Sequence, residues 1–213
     1  MSYPHNWRRA SEKGEPLGGL IAWICAHYSN KVNVLGHSMG NRFFEGMLRT
    51  GIEQYEESAQ LGTVILFSPD LDAGIDDPDF QRLCRSAEEV VVFIHRRDRL
   101  LMLSSWTLGR ERLGRSGPKG DIAAFPSMSH LLVIDMTDYV KGIQNHTHLN
   151  KKWVQQRIRE VLKPRKPKVT IVLDNLNDGR IVTFISIAMM NNKFGWWQWT
   201  AGNIADTLFK VSI

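Results

Sequence analysis

The segment Gly36-His-Ser-Met-Gly40 holds a serine between two glycines, in a spacing that suits a nucleophile. A sharp turn from a strand into a helix needs small residues two positions before and two positions after the serine. Such a turn lifts the Ser38 hydroxyl above the strand ends, where the backbone N–H of Met39 can stabilise an oxyanion. We therefore expect Ser38 to be a nucleophile with Met39 as an oxyanion donor, and we interpret His37 as a packing residue.

A serine nucleophile needs a base, and the base needs an acid that orients it. In this type of turn the three residues follow one another in the order Ser, Asp, His. Asp98 comes four residues after the apolar run that ends at Ile94, and His146 follows a later apolar run. Because the carboxyl ends of parallel strands meet at one edge of a sheet, we expect Ser38, Asp98 and His146 to meet there as a catalytic triad.

Three other residues compete for these two roles. Asp70 and Asp72 follow a buried apolar run of their own, and either carboxylate could replace Asp98 as the acid. His148 lies two residues after His146 and could replace it as the base. The spacing alone leaves these alternatives open.

Short apolar runs alternate with amphipathic stretches along the chain, which is the pattern of parallel strands joined by helices. The expected strands are Val32–Leu35, Thr63–Phe67, Val90–Ile94 and Leu131–Ile134, and the expected helices are Leu17–His27, Met39–Arg49 and Lys151–Leu162. The fold class is therefore α/β, with a mostly parallel sheet flanked by helices in three layers.

The segment Lys163-Pro-Arg-Lys-Pro-Lys168 combines prolines with basic residues and ends the last of these helices. We interpret it as a linker, so residues 1–163 form the main domain and residues 164–213 an extension. Beyond the linker, Val169–Leu173 and Arg180–Met189 are strand-like and enclose a turn sequence, which predicts a C-terminal β-hairpin. The aromatic cluster Trp196-Trp-Gln-Trp199 is expected to pack in a core or an interface.

The composition of the 213 residues, 43% hydrophobic and 23% charged, is ordinary for a globular chain with one sizeable core. The formal charge of +5 is spread out except around Lys151–Lys168, so it does not favour nucleic-acid binding. Cys25 and Cys84 lack metal-ligand spacing and are interpreted as reduced thiols. With no signal peptide and no apolar run of about 18 residues, we expect a cytoplasmic protein without membrane contact, metal or cofactor.

Four separated blocks then point to a family: Val34-Leu-Gly-His-Ser-Met-Gly-Asn-Arg42, Phe67-Ser-Pro-Asp-Leu-Asp72, Arg96-Arg-Asp-Arg-Leu-Leu101 and Arg112-Leu-Gly114. Together they resemble the bacterial α/β-hydrolases of unknown function grouped as the DUF900 family, over about residues 2–162. The resemblance implies an esterase-like serine hydrolase with Ser38 as nucleophile, Asp98 as acid and His146 as base. It implies no particular substrate.

A full hydrolase sheet has further strands before the nucleophile strand, whereas only thirty-one residues precede Val32. We therefore expect an N-terminally truncated sheet without the loop that usually supplies a second oxyanion donor. The nucleophile strand would then be an exposed apolar edge. We expect either the C-terminal hairpin or a second copy of the chain to cover it.

Two classes of function follow from these observations. The first is a serine hydrolase that acts on a small ester or acyl substrate through an acyl-enzyme at Ser38. The second is a catalytically impaired protein of the same fold that acts by protein association. The expected partners are thus a small-molecule ester or acyl compound and a second copy of the chain.

Overall fold

The computed structural model describes residues 10–12, 14–27, 31–50, 60–121, 130–140, 146, 148–149, 151–162, 169–175, 181–188 and 194–200. The strands in these ranges are β1 (Lys31–His37), β2 (Gln60–Phe67), β3 (Ala87–Ile94), β4 (Leu131–Asp135), β5 (Val169–Asn175), β6 (Ile181–Ala188) and β7 (Phe194–Thr200). The helices are α1 (Glu15–His27), α2 (Arg42–Thr50), α3 (Pro78–Ser86), α4 (Arg99–Leu108), α5 (Leu113–Ser116) and α6 (Lys152–Leu162), and a short 3-10 helix spans Ser38–Asn41. No helix among these residues is long and apolar enough to cross a membrane.

The seven strands form one sheet in the order β4-β3-β2-β1-β5-β6-β7. Strands β1 to β4 run parallel to one another, and Gly36 of β1 pairs with Leu66 of β2, which in turn pairs with Val92 of β3. This register brings the carboxyl ends of the strands to one edge of the sheet. The predicted α/β class with a mostly parallel sheet is therefore confirmed.

Helices cover both faces of this sheet. Alternate strand residues such as Val34, Leu66 and Val92 pack with α1, α2 and α3 in one buried cluster. The residues between them, such as Leu35, Phe67 and Phe93, pack against α6 in a second cluster. A strand that is buried on both faces has a continuous run of apolar residues in its sequence. Such runs allowed us to predict β1, β2 and β3.

The helices that precede and follow β3 begin at side-chain caps. Asp77 accepts hydrogen bonds from the backbone N–H groups of Asp79 and Phe80 at 2.8 and 3.1 Å, and Pro78 takes the first helical position of α3. Asp98 caps α4 in the same way, and α4 ends at Gly109, whose φ of 67° suits glycine. The predicted helix Met39–Arg49 starts too early, because the 3-10 helix precedes α2.

The C-terminal strands continue the sheet on the other side of β1. Strand β5 pairs with β1 in parallel, β6 pairs with β5 in antiparallel fashion, and β7 pairs with β6. We expected either the C-terminal hairpin or a second copy of the chain to cover the edge of β1, and the C-terminal strand β5 lies at this edge. The described residues after 168 form three strands rather than the two of a hairpin, because the aromatic cluster at Trp196 forms β7. The interpreted linker, residues 163–168, lies outside the described residues, and the division at residue 163 stays a prediction.

Candidate active site

Ser38 lies at the turn between β1 and the 3-10 helix, in a left-handed backbone conformation with a φ of 52°. This conformation is costly for a residue with a side chain, so the surroundings must hold it. The Ser38 carbonyl accepts hydrogen bonds from Asn41 Nδ2 at 2.9 Å and from the Asp70 N–H at 3.2 Å. A Cβ at Gly36 would lie 2.4 Å from Asn41 Oδ1, so the turn also requires glycine there.

His146 lies between Ser38 and Asp98 and contacts both. Its Nε2 is 2.6 Å from Ser38 Oγ, and its Nδ1 is 2.7 Å from Asp98 Oδ2. A carboxylate accepts only, so Nδ1–H donates to Asp98 and Nε2 is left to accept from the Ser38 hydroxyl. The three side chains predicted from the sequence are thus joined in one hydrogen-bonded chain.

Asp98 is fully buried, and each of its carboxylate oxygens has a partner. One oxygen bonds His146, while the other accepts the Leu101 N–H of α4 at 3.0 Å. Its own backbone N–H donates to the His95 carbonyl at 2.9 Å. The helix N-terminus and these bonds hold the carboxylate in one orientation toward the imidazole.

The competing carboxylates belong to a buried ion-pair network. Asp70 accepts a hydrogen bond from Ser104 Oγ at 2.6 Å, and Arg112 Nε is 3.9 Å from it. Asp72 pairs with a terminal nitrogen of Arg112 at 2.6 Å and with one of Arg110 at 2.8 Å. These contacts give both carboxylates arginine or hydroxyl partners, while Asp98 is the carboxylate bonded to His146.

A second buried arginine, Arg42, extends this network from the first turn of α2. It pairs with Glu45 at 2.6 Å. Burial lowers the pKa of Arg42 to about 10, against the attraction of Glu45, Asp70 and Asp72. The guanidinium therefore remains charged at neutral pH, and the positive charge of Arg42 is balanced by these nearby carboxylates.

The histidines around the site have distinct contacts. His148, the alternative base, lies against His95, with ring centroids 5.5 Å apart. His37 Nε2 is 3.0 Å from the backbone carbonyl of His146, and His95 Nε2 is 2.9 Å from that of Val140. The interpretation of His37 as a packing residue was incomplete, because the sequence holds no signal for a bond to a residue so far along the chain.

Met39, the expected oxyanion donor, is buried at the start of the 3-10 helix, and its role stays a prediction. Of the two cysteines, the side chain of Cys25 lies outside the described residues. Cys84 is buried, and burial raises the pKa of its thiol to about 12, so it is an unreactive packing residue. Among the described residues, no group of three or more His, Cys, Asp or Glu side chains is arranged to hold a metal ion.

A cavity of about 490 Å³ lies beside the ion-pair network rather than at Ser38. Its lining residues are Asp72, Ala73, Gly74, Asp76, Asp77, Pro78, Arg110, Glu111 and Lys119. The charged side chains of Arg110 and Lys119 in this lining are paired with Asp72 and Glu111. The lining therefore has more acidic than basic side chains, and it contains no member of the hydrogen-bonded chain.

A family model described as an alpha/beta hydrolase of unknown function, DUF900, matches residues 15–159. The match covers more than half of the chain and includes Ser38, Asp98 and His146. No curated protein and no solved structure shows a significant match.

Proposed function

The chain belongs to the DUF900 family of α/β-hydrolases of unknown function, and from this premise we propose that it is a serine hydrolase of the esterase type. It would act on a small ester or a similar acyl compound through an acyl-enzyme at Ser38. The observation that carries the proposal is the chain of contacts from Ser38 Oγ to His146 Nε2 at 2.6 Å and from His146 Nδ1 to Asp98 at 2.7 Å.

In the first half of the reaction, Ser38 Oγ attacks the carbonyl carbon of the ester while its proton passes to His146 Nε2. The bond to the leaving alcohol then breaks, and the same proton passes to the departing oxygen. In the second half, His146 takes a proton from water as the water oxygen attacks the acyl carbon. The bond to Ser38 Oγ then breaks, the proton passes from His146 to Oγ, and the acid leaves. Asp98 holds the tautomer and stabilises the imidazolium in both halves.

The tetrahedral intermediate carries an oxyanion that needs donors, and Met39 N–H supplies one in this proposal. The second donor is assigned to the carboxyl end of β5. Leu173 of β5 pairs with Gly36 of β1, so the residues that follow Leu173 reach the edge of the sheet beside Ser38. One such donor typically contributes about a hundredfold to a thousandfold in rate.

Covalent labelling with a fluorophosphonate probe tests the proposal, because the probe reacts with an activated serine. We expect the wild-type chain to be labelled once, and Ser38→Ala and His146→Gln to lose labelling. Ser105→Ala and His130→Gln are matched controls: Ser105 Oγ donates to the Leu101 carbonyl within α4, and His130 precedes β4 and bonds the Cys84 carbonyl. A wild-type chain that takes no label, or Ser38→Ala labelled as well as wild type, would overturn the proposal.

A further inference from the structure

We infer that His37 is a positioning residue for the base: it holds the backbone of His146 so that the imidazole reaches Ser38 and Asp98 together. This inference rests on the proposed function, because it concerns the geometry of the same triad. The bond that defines this role is made to the backbone carbonyl of His146.

The hydrogen bond from His37 has only one possible direction. His37 Nε2 is 3.0 Å from the carbonyl oxygen of His146, and a carbonyl oxygen accepts only, so Nε2 carries the hydrogen. The imidazole is buried, and its centroid lies 5.7 Å from that of Phe67 and 5.1 Å from that of His146. These contacts surround the ring that donates to the carbonyl.

His146 needs this support because it lies between β4 and α6 in the chain, outside both elements. His146 follows the end of β4 at Asp135 by eleven residues, and it belongs to no strand or helix. A residue outside the ladders lacks the repeated backbone hydrogen bonds that fix strands and helices. Because His37 bonds the peptide of the reacting residue itself, it fixes the atoms from which the His146 side chain projects.

The position of His37 in the chain also suits this role. His37 is the last residue of β1 and is bonded directly to Ser38, so the nucleophile and the residue that supports its base are neighbours at the end of one strand. A movement of β1 therefore carries both partners together. A displacement of about 1 Å in such a pair can cost about a hundredfold in rate.

The test compares two substitutions of His37 with similar length and different donors. His37→Gln keeps an N–H donor at nearly the same reach, whereas His37→Met fills the space without a donor. We expect H37M to lower the rate constant of fluorophosphonate labelling by about tenfold to a hundredfold. H37Q should stay within about threefold of wild type. The final labelled fraction should be unchanged in both, because a merely structural defect lowers that fraction and not the rate constant of the folded molecules.

A second readout does not depend on activity. The proton between His146 Nδ1 and Asp98 should give a low-field proton resonance in wild type and H37Q, and this resonance should be lost or broadened in H37M. If H37M does not fold, His37→Phe replaces it as the donor-free variant. Equal labelling rates in wild type and the donor-free variant, with the resonance intact, would overturn the inference and leave the proposed function standing. A wild-type chain without labelling would instead contradict the proposed function, and the resonance would still decide the role of His37.

Discussion

Asp98 performs two tasks with its two carboxylate oxygens, and one substitution can separate them. Oδ1 caps α4 through the Leu101 N–H at 3.0 Å, and Oδ2 accepts Nδ1–H of His146 at 2.7 Å. In Asp98→Asn the side-chain oxygen can still accept the Leu101 N–H, so the cap remains. The amide then presents an N–H group to His146 Nδ1, which must accept.

That exchange reverses the tautomer of the base. With Nδ1 as acceptor, His146 Nε2 carries the hydrogen and can no longer accept the Ser38 proton. Loss of the correct tautomer costs about 10⁴ in rate, or about 5 kcal/mol of transition-state stabilisation. The free energy of unfolding should change by less than about 1 kcal/mol, since Asn and Asp are similar caps.

The assay pairs the fluorophosphonate labelling rate with urea unfolding of the same preparations. Asp77→Asn is the matched control, because Asp77 caps α3 through two backbone N–H groups and has no contact with the base in this role. It should retain wild-type labelling. Asp98→Ala should lose both activity and stability, since it removes the cap and leaves a buried donor unsatisfied. An Asp98→Asn variant that labels within tenfold of wild type would refute the assignment of Asp98 as the acid.

Three further predictions concern the framework of the site. Arg112→Met should cost about 3–5 kcal/mol of unfolding free energy, because Arg112 is fully buried and its loss removes the ion pairs to both Asp70 and Asp72. Arg110→Met should cost less than about 1 kcal/mol, because the Arg110 side chain also pairs with Asp72 but is 72% exposed. Stability should fall as the pH rises above 9, because the pKa of the Cys84 thiol is about 12 in the fold against 9.0 for a free thiol, so the unfolded chain ionises first. Urea unfolding at pH 8 and pH 10 should show this dependence in wild type and a weaker one in Cys84→Val; an equal dependence in both would assign it to other groups. A chain that ends at Pro164 lacks β5–β7, so it should self-associate in sedimentation through the open edge of β1 and label more slowly than the full chain; a well-behaved monomer with the full labelling rate would contradict both expectations.

The meeting of Ser38, Asp98 and His146 was predictable because each of them follows an apolar run that becomes a parallel strand. Ser38 follows β1, Asp98 follows β3 and His146 follows β4, and parallel strands bring these ends to one edge. The choice among carboxylates was not predictable, since Asp70 and Asp72 also follow a strand. What separates them from Asp98 are bonds to side chains 34 and 40 residues further along the chain, which no local pattern encodes.

Helix α3 and strand β7 are among the elements that we did not predict, and the reason differs between the two. Helix α3 is absent from the helices that we expected, although Asp77 and Pro78 signal it as a cap followed by proline at the first helical position. Strand β7 depends on β6 for its hydrogen bonds, so its conformation is decided by a neighbour and not by its own tryptophans. The tendency of a residue to occur in a strand depends on how its side chain packs in the sheet. The neighbouring strands must therefore be known before this tendency can be used to predict a strand.

His146 contacts Ser38 although the two residues follow strands at different places in the sheet, and two buried histidines bond the chain between β4 and His146. His146 follows β4 and Ser38 follows β1, three strands away, so the chain must span about 14 Å at about 4.8 Å per strand. His95, directly after β3, holds Val140 near the start of the crossing, and His37 holds His146 at its end. Only the second bond reaches the residue that reacts. Loss of the His37 donor should therefore lower the labelling rate more than loss of the His95 donor, although both rings are buried.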